Sequence, residues 1–407
     1  MWEQIRSNQI RSVILVMAMG GLLVGIGFLI GIAFFGNTYM GLIMALVIWF
    51  IMNLVAYYSG DSILLGISKA KKIAHDDHPR LFNIVGEMKI ASGLEHMPSV
   101  YIIDTPAMNA FATGRDPKHA SVAITAGLLQ KLNRDELQGV IAHEMAHIKN
   151  RDVLLMALCS VLLGTIVILA WYASRIMIYG AILGGGRSRR SSGGGGQAQI
   201  IIFIVAIVLM IIAPIIAYLI YFAISRKREY LADASAAQYT RYPEGLASAL
   251  EKLSQSTHKL ETANNATASM YIINPLKRTE RAAADFSSTH PPISKRIHIL
   301  RSMAGGVSFQ NYDTAYSAIN KGKSVMGAAS LTGATPMAIR ESARTAATEL
   351  EPTKIERARE TSNALWKHSK HKLVNCQCGT KLRVPPNYTH SNIKCPHCGR
   401  INTLPRR

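Results

Sequence analysis

The sequence predicts a mainly α membrane protein: four transmembrane helices, an α+β unit split around the second helix pair, and a small cysteine-bearing module at the C-terminus. Three observations predict it. Apolar residues make up 49% of the 407, with a mean hydropathy of +0.16, high for a soluble chain. They gather into four uncharged runs of bilayer length. Four of the five cysteines stand in two close pairs near the end of the chain.

The first two runs, 13–35 and 39–58, define a hairpin within residues 1–72. Each is about 20 residues, which at about 1.5 Å per residue matches a hydrocarbon core of roughly 30 Å. The first run is too long for a cleavable signal and is followed at once by the second, so it stays as an anchor. Arg6 and Arg11 precede the pair, Lys69, Lys71 and Lys72 follow it, and the connecting "FGNTYM" is uncharged. The positive-inside rule then puts both ends in the cytosol.

Residues 73–152 change to a soluble pattern. "RLFNIVGEMKIASGL" repeats apolar residues at helical spacing, while "SVYIID" and "SVAIT" read as short strands. Asn133 and Glu136 are spaced as a capping box opening a helix through "NRDELQGVIAHEMAHIKN". Residues 153–224 hold the second hairpin, with runs 153–174 and 198–224 joined by the glycine- and arginine-rich 184–196, a flexible linker by composition.

Helix returns at about 226–260 within a second soluble segment, 225–301. Residues 302–370, rich in Ala, Ser and Thr, read as a linker, partly helical or disordered, with a helix expected near 337–368; the cysteine module occupies 371–407. Charge does not settle the second hairpin. Lys149, Arg151, Arg226, Lys227 and Arg228 flank its cytosolic ends, against Arg175, Arg187, Arg189 and Arg190 on the other side. Two to four complete spans are open, and the reading keeps four.

The net charge is +20, and from Thr361 to Arg407 there are nine Lys or Arg and no acid. Such a tail suits an anionic lipid surface or nucleic acid. "KLRVPP" lacks the interleaved aromatics on which bases stack, which argues against nucleic acid.

Chemistry concentrates at residues 141–152, "IAHEMAHIKNRD". On a helix, positions i and i+4 share a face, so His143 and His147 can aim at one ion with Glu144 beside them. Neutral imidazoles suit zinc, iron, copper and nickel alike; the pattern with its central Glu points to Zn²⁺. "SRKREYLADASAA" (225–237) offers a third ligand, Glu229, with Asp233 one turn later.

His147 lies just before the third apolar run and Glu229 just after the fourth, so an up-and-down hairpin returns both to the same membrane face. A zinc held there would activate water and polarise a peptide carbonyl. Glu144 would be the general base, and Asp233 would accept the second ring N–H of a ligand histidine.

With "NAFATG" (109–114), "HEMAHIKNRD" (143–152), "SRKREYLADASAA" (225–237) and "THPPISKRI" (289–297) in that order, the sequence resembles the HtpX-type membrane metallopeptidases, relatives of the CAAX-prenyl protease family. The match runs from the first hairpin to about residue 300. The resemblance implies a gluzincin fold with zinc on His143, His147 and Glu229 and with Glu144 as base. It implies an edge strand of Asn109, Ala110, Phe111 and Ala112 for the substrate backbone, His290 for the oxyanion, and Arg296 supporting that loop. It also implies an integral membrane endopeptidase, which with the charge distribution above is expected in the cell (inner) membrane with active site and both termini facing the cytoplasm. Its substrates would be membrane proteins or peptides, damaged or misfolded, in membrane quality control.

In "VNCQCGTKLRVPPNYTHSNIKCPHCGRIN" (374–402), Cys376 and Cys378 precede Cys395 and Cys398 by sixteen residues. Two cysteine pairs, each followed by Gly, can close a tetrahedral Cys₄ shell, a structural second zinc in a ribbon facing a reducing compartment. The first pair is C-x-C where C-x-x-C is usual. The HtpX-type core does not generally carry this module, so docking of protein or substrate beside the membrane is its expected role, with His397 a surface residue. A competing reading is a non-catalytic membrane scaffold binding a protein or nucleic-acid partner through the ribbon. Glu144, Glu229 and Asp233 argue against it, because a scaffold needs no base beside its metal. Oligomeric state is not legible in the sequence.

Overall fold

The computed structural model describes residues 2–31, 37–183, 196–256, 258, 260–263, 268–275, 290–303, 306–331, 336–342, 351–368, 372–385, 388 and 390–404. The chain opens with helices α1 (Trp2–Ile30) and α2 (Thr38–Ile67). Asn37 caps α2, its side-chain oxygen accepting from the Tyr39 and Met40 N–H groups. The helices meet at small residues: a methyl group on Gly41 would run into the backbone of Gly27 and Gly31. Such close backbone approach is how helices pack where no hydrophobic effect drives them together.

Between the two helical hairpins lies a mixed layer: β1 (Lys71–Lys72), α3 (Pro79–Ser92), β2 (Ser99–Ile103), β3 (Ala110–Thr113), β4 (Ser121–Thr125), α4 (Ala126–Lys131) and α5 (Arg134–Lys149). The sheet runs β1-β2-β4-β3, with β2 and β4 parallel and both outer strands antiparallel to their neighbours. Val100, Ile102, Val122 and Ile124 pack with Leu81, Ile84 and Val85 of α3 and with Leu137, Val140 and Ile141 of α5. The sheet thus lays β3, an edge strand, beside α5.

The second helix pair is α6 (Asp152–Leu183) and α7 (Gly196–Thr240). Among the described residues, Tyr39–Ile67 and Asp152–Tyr172 are long and apolar enough to cross a membrane, and Val16–Phe28 is a shorter apolar helix. On α2, Ile43, Val47, Phe50, Ile51 and Leu54 are exposed. A contiguous apolar face of that kind, at about 25 cal/mol per Å² in water, suits lipid. α1, α2, α6 and α7 pack on one another as a bundle. The linker 184–195 lies outside the described residues.

α7 carries the fourth apolar run without a break into the segment of Glu229 and Asp233. The helix expected over 226–260 is interrupted: Arg241 takes a left-handed φ of 53°, and Pro243 opens α8 (Pro243–Ser254). α8 crosses α5 at Gly139, where a methyl group would lie 2.7 Å from the Leu246 backbone nitrogen. The capping box at the start of α5 has both its bonds, Glu136 N–H to Asn133 and Asn133 N–H to Glu136.

Among the described residues beyond α9 (Ile293–Arg301), the stretch expected as a linker contains packed helices. α10 (Phe309–Ile319) buries Phe309, Tyr312 and Ala315, and a helix Lys354–Lys367 packs on α4. Polar anchors hold this stretch, which is why apolar periodicity did not reveal it: Arg357 donates to the Gln130 carbonyl, Glu351 accepts from the Arg134 N–H, and Lys367 and His368 meet Asp77. The cysteine module is two antiparallel hairpins, Lys372–Asn375 with Lys381–Val384 and Asn392–Lys394 with Ile401–Thr403. Arg383 joins it to the Lys354–Lys367 helix, donating to Ser362 and standing 4.9 Å over the Trp366 ring.

Candidate active site and metal centre

α5 presents His143 and His147 on one face, and α7 brings Glu229 to them from the far side of the helix pair. The two Nε2 atoms lie 3.2 Å apart, and Glu229 oxygens lie 3.7 Å from His143 Nε2 and 3.4 Å from His147 Nε2. A tetrahedral zinc with bonds of about 2.0–2.1 Å separates its ligand atoms by about 3.3 Å. The spacing fits.

The outer nitrogens support the same assignment. His143 Nδ1 lies 3.0 Å from Asp233 Oδ1, and His147 Nδ1 lies 3.3 Å from Asp152 Oδ2. An ionised carboxylate only accepts, so Nδ1 of His147 carries the proton in its bond to Asp152 and the Nε2 lone pair turns inward; Nδ1 of His143 faces Asp233 in the same way without closing a hydrogen bond. Two lone pairs and a carboxylate oxygen converging on one buried point repel unless a cation stands among them. Charge agrees: the carboxylates of Asp152, Glu229 and Asp233 are buried with the guanidiniums of Arg228 and Arg296, an excess of negative charge that favours a cation. The three residues His143, His147 and Glu229 could hold a metal ion.

Electrostatics follow from burial and these partners. Burial disfavours a charge on His147, yet Asp152 and Glu229 outweigh it and push its pKa up to about 10, so a proton or a cation must sit on Nε2. Burial likewise opposes ionisation of Glu229, but His290, His143 and His147 hold its pKa well below the usual range. For Glu144 burial wins over the attraction of the two histidines, and its pKa is raised. The Ala112 N–H faces its carboxylate without closing a hydrogen bond. Such a carboxylate is poised to take a proton.

Arg296, fully buried, pairs with Asp233 through Nε and Nη2, lies 3.2 Å from Glu229 Oε2, and donates to the Ile272 carbonyl at 3.0 Å. It therefore reaches past its own loop to the carboxylates of the centre. His290 sits with Nδ1 3.0 Å from Glu229 Oε2 and Nε2 3.3 Å from the Ala268 carbonyl.

The edge strand is brought alongside, but its outer side already has a neighbour. Ile272 donates its N–H to the Ala110 carbonyl at 3.0 Å, Phe111 and Tyr271 form an antiparallel bridge, and Asn109 Nδ2 donates to the Ile273 carbonyl at 3.1 Å. Asp152 and the 271–273 pairing are what sequence reasoning missed. For Asp152 the signal was present in the "NRD" that follows the histidines.

The cysteines form a separate cluster, with Cys376 Sγ 3.5 Å from Cys398 Sγ and Cys378 Sγ 3.7 Å from Cys395 Sγ. A disulfide needs about 2.05 Å, whereas the edge of a zinc–thiolate tetrahedron at about 2.3 Å per bond is about 3.8 Å. The separations fit four thiolates around one ion.

With this geometry in hand, the comparisons with known proteins decide the family. A family model described as peptidase family M48 matches residues 76–304, which span strands β2 to β4, α5, the α6–α7 pair and α9. The chain belongs to peptidase family M48. A protease HtpX homolog of Dictyoglomus turgidum is 42% identical over 302 residues, covering 74% of this chain and 94% of that one. One of Streptococcus uberis is 40% identical over 303 residues, covering 74% of this chain and all of its own length. The crystal structure of S. mikatae Ste24p is 19% identical, with a TM-score of 0.38 over 73% of this chain and 66% of that one, too low to carry an argument. Family membership makes the chain a zinc metallopeptidase, and with its apolar helices a membrane one. A scaffold without catalysis is not favoured. The cysteine cluster lies beyond the M48 match.

Proposed function

We propose that this chain is an integral endopeptidase of the cell membrane, with four spans, a gluzincin active site and both termini facing the cytoplasm. It cleaves membrane-protein or peptide substrates, misfolded or damaged membrane proteins above all, in membrane protein quality control. One observation carries the reading: ligand atoms from α5, ahead of one apolar helix pair, and from α7, which closes it, converge within 3.7 Å. The site therefore stands where those helices leave the bilayer, within reach of both water and membrane-borne substrate.

His143, His147 and Glu229 would hold the zinc ion, whose chemistry there would be to lower the pKa of a water to about 7 and to polarise the scissile carbonyl. Glu144 takes the water's proton at a carboxylate oxygen and delivers it to the leaving amine. Asp233 holds the Nδ1 proton of His143. His290 donates to the developing oxyanion, for which its ring must turn from Glu229 or from the Ala268 carbonyl. Asn109 to Ala112 pair with the extended substrate, for which the Ile272 N–H must first release Ala110. A second zinc, structural, is held by Cys376, Cys378, Cys395 and Cys398.

Glu144→Gln should keep its metal and stop cleavage of an unfolded membrane protein in detergent; unchanged cleavage would overturn the mechanism. Metal analysis of the same preparation should find two zincs in wild type and one in each of His143→Ala and Cys395→Ser. Wild type with a single zinc that His143→Ala loses would remove the structural site.

A further inference from the structure

Asp152 is a buried carboxylate to which the mechanism gives no task. It is 1% exposed and begins α6, the helix that enters the apolar region. In an unbroken helix, residues five apart point about 140° away from each other, so a carboxylate at 152 could not meet a ring at 147. The chain does not continue unbroken. α5 ends at Lys149, Asn150 caps it, and Arg151 takes a left-handed φ of 57°, a conformation that costs a non-glycine residue about 1 kcal/mol. That single residue turns the chain so that Asp152 comes back over the last turn of α5.

The result is specific on both oxygens. Oδ2 lies 3.3 Å from His147 Nδ1, and Oδ1 lies 3.6 Å from Nη1 of Arg228, the residue beside Glu229 on α7. Oδ1 makes no hydrogen bond among the described residues. The Nδ1–H of His147 is therefore the bond through which this carboxylate acts most strongly, and the arrangement mirrors Asp233 on His143.

We infer that Asp152 is a positioning residue for the metal ligand His147: it fixes the Nδ1–H tautomer and aims Nε2 at Glu229, and through Arg228 it joins the start of α6 to the ligand-bearing turn of α7. The inference rests on the proposed metal centre. A carboxylate behind a ligand histidine contributes 10–100-fold in metal affinity in comparable sites.

The test uses full-length protein in detergent, with Zn²⁺ and Co²⁺ as probes. Asp152→Asn should bind Zn²⁺ at the histidine centre about 10–100-fold more weakly in chelator competition, and its Co²⁺ visible spectrum should shift, because the field at the ligand ring changes. The cysteine cluster is the same in every variant and cancels in the comparison. Affinity and spectrum equal to wild type overturn the inference. His147→Ala separates the two levels: if it too leaves the affinity unchanged, the metal centre itself is wrong. Should Asp152→Asn fail to fold, wild type labelled with ¹⁵N-histidine still decides. In the zinc-loaded protein, an Nδ1–H of His147 held in a hydrogen bond, seen as slowed exchange and a downfield proton shift, supports the inference, and an Nδ1–H that exchanges like a solvent-exposed one overturns it.

Discussion

Arg296 closes on Asp233 with two donors, Nη2 to Oδ1 at 2.7 Å and Nε to Oδ2 at 2.8 Å, and neither residue reaches solvent. The pair stands directly behind His143, whose Nδ1 shares Asp233 Oδ1. Arg296→Met should therefore leave a buried carboxylate short of its cation and destabilise the fold by about 3–5 kcal/mol. Arg296→Lys should recover little, since an ammonium cannot reproduce the two-pronged contact. Denaturant unfolding of the three proteins checks this, and a loss under about 1 kcal/mol for Met would contradict the pairing.

The Ile272 N–H bond to the Ala110 carbonyl makes a statement about substrate entry. If an extended peptide uses that edge, the 271–273 stretch must let go of it. Amide exchange at Tyr271, Ile272 and Ile273 should then speed up when the inactive Glu144→Gln protein is saturated with a peptide substrate. Protection that stays the same or rises would place the peptide elsewhere.

Arg340 lies beyond the family match, yet it grips both ligand-bearing helices. Its Nη2 donates to Asp135 and Gln138 of α5 at 2.7 Å each, and its Nε donates to the Thr240 carbonyl at the end of α7 at 2.8 Å. Arg340→Ala should lower stability by about 1–3 kcal/mol by leaving buried acceptors unpaired. A thermal unfolding midpoint unchanged from wild type would mean that the segment merely rests on the surface.

His78 gives a pH dependence with a definite sign. Burial first, then Arg80, pulls its pKa down to about 4, and its Nδ1 accepts the Leu81 N–H at 3.3 Å to cap α3. Glu360 lies 3.2 Å from the same nitrogen, and burial raises that carboxyl's pKa, which weakens its pull on a proton of the ring. A folded-state pKa below the unfolded one near 6.5 makes this contribution complete above about pH 6.5 and removes it as pH falls toward 4, by at most roughly 3 kcal/mol. His78→Asn keeps a cap acceptor without the titration. Its unfolding free energy should fall less than that of wild type between about pH 7.5 and about pH 4.5, and parallel losses would rule the assignment out.

Local spacing made the paired histidines, the Asn133–Glu136 box and the strands around Val100 and Val122 readable, because each depends only on neighbours within a few residues. Glu229 was readable for a topological reason: an even number of crossings brings a chain back to its starting side. The packing of the described residues between 306 and 368 was not readable. Its anchors, such as Arg340 to Asp135, are single polar contacts some two hundred residues apart, and no periodicity encodes them.

By itself, then, the chain's pattern of motifs and apolar runs determined which residues an up-and-down helix pair could bring together and which of them could bind a metal. Only the folded molecule decided how they are aimed. One left-handed residue at 151 puts Asp152 behind His147, and one bond from Ile272 covers Ala110. Both depend on backbone direction at a single point, a quantity that residue type biases by only about 1 kcal/mol and that the surrounding packing overrides.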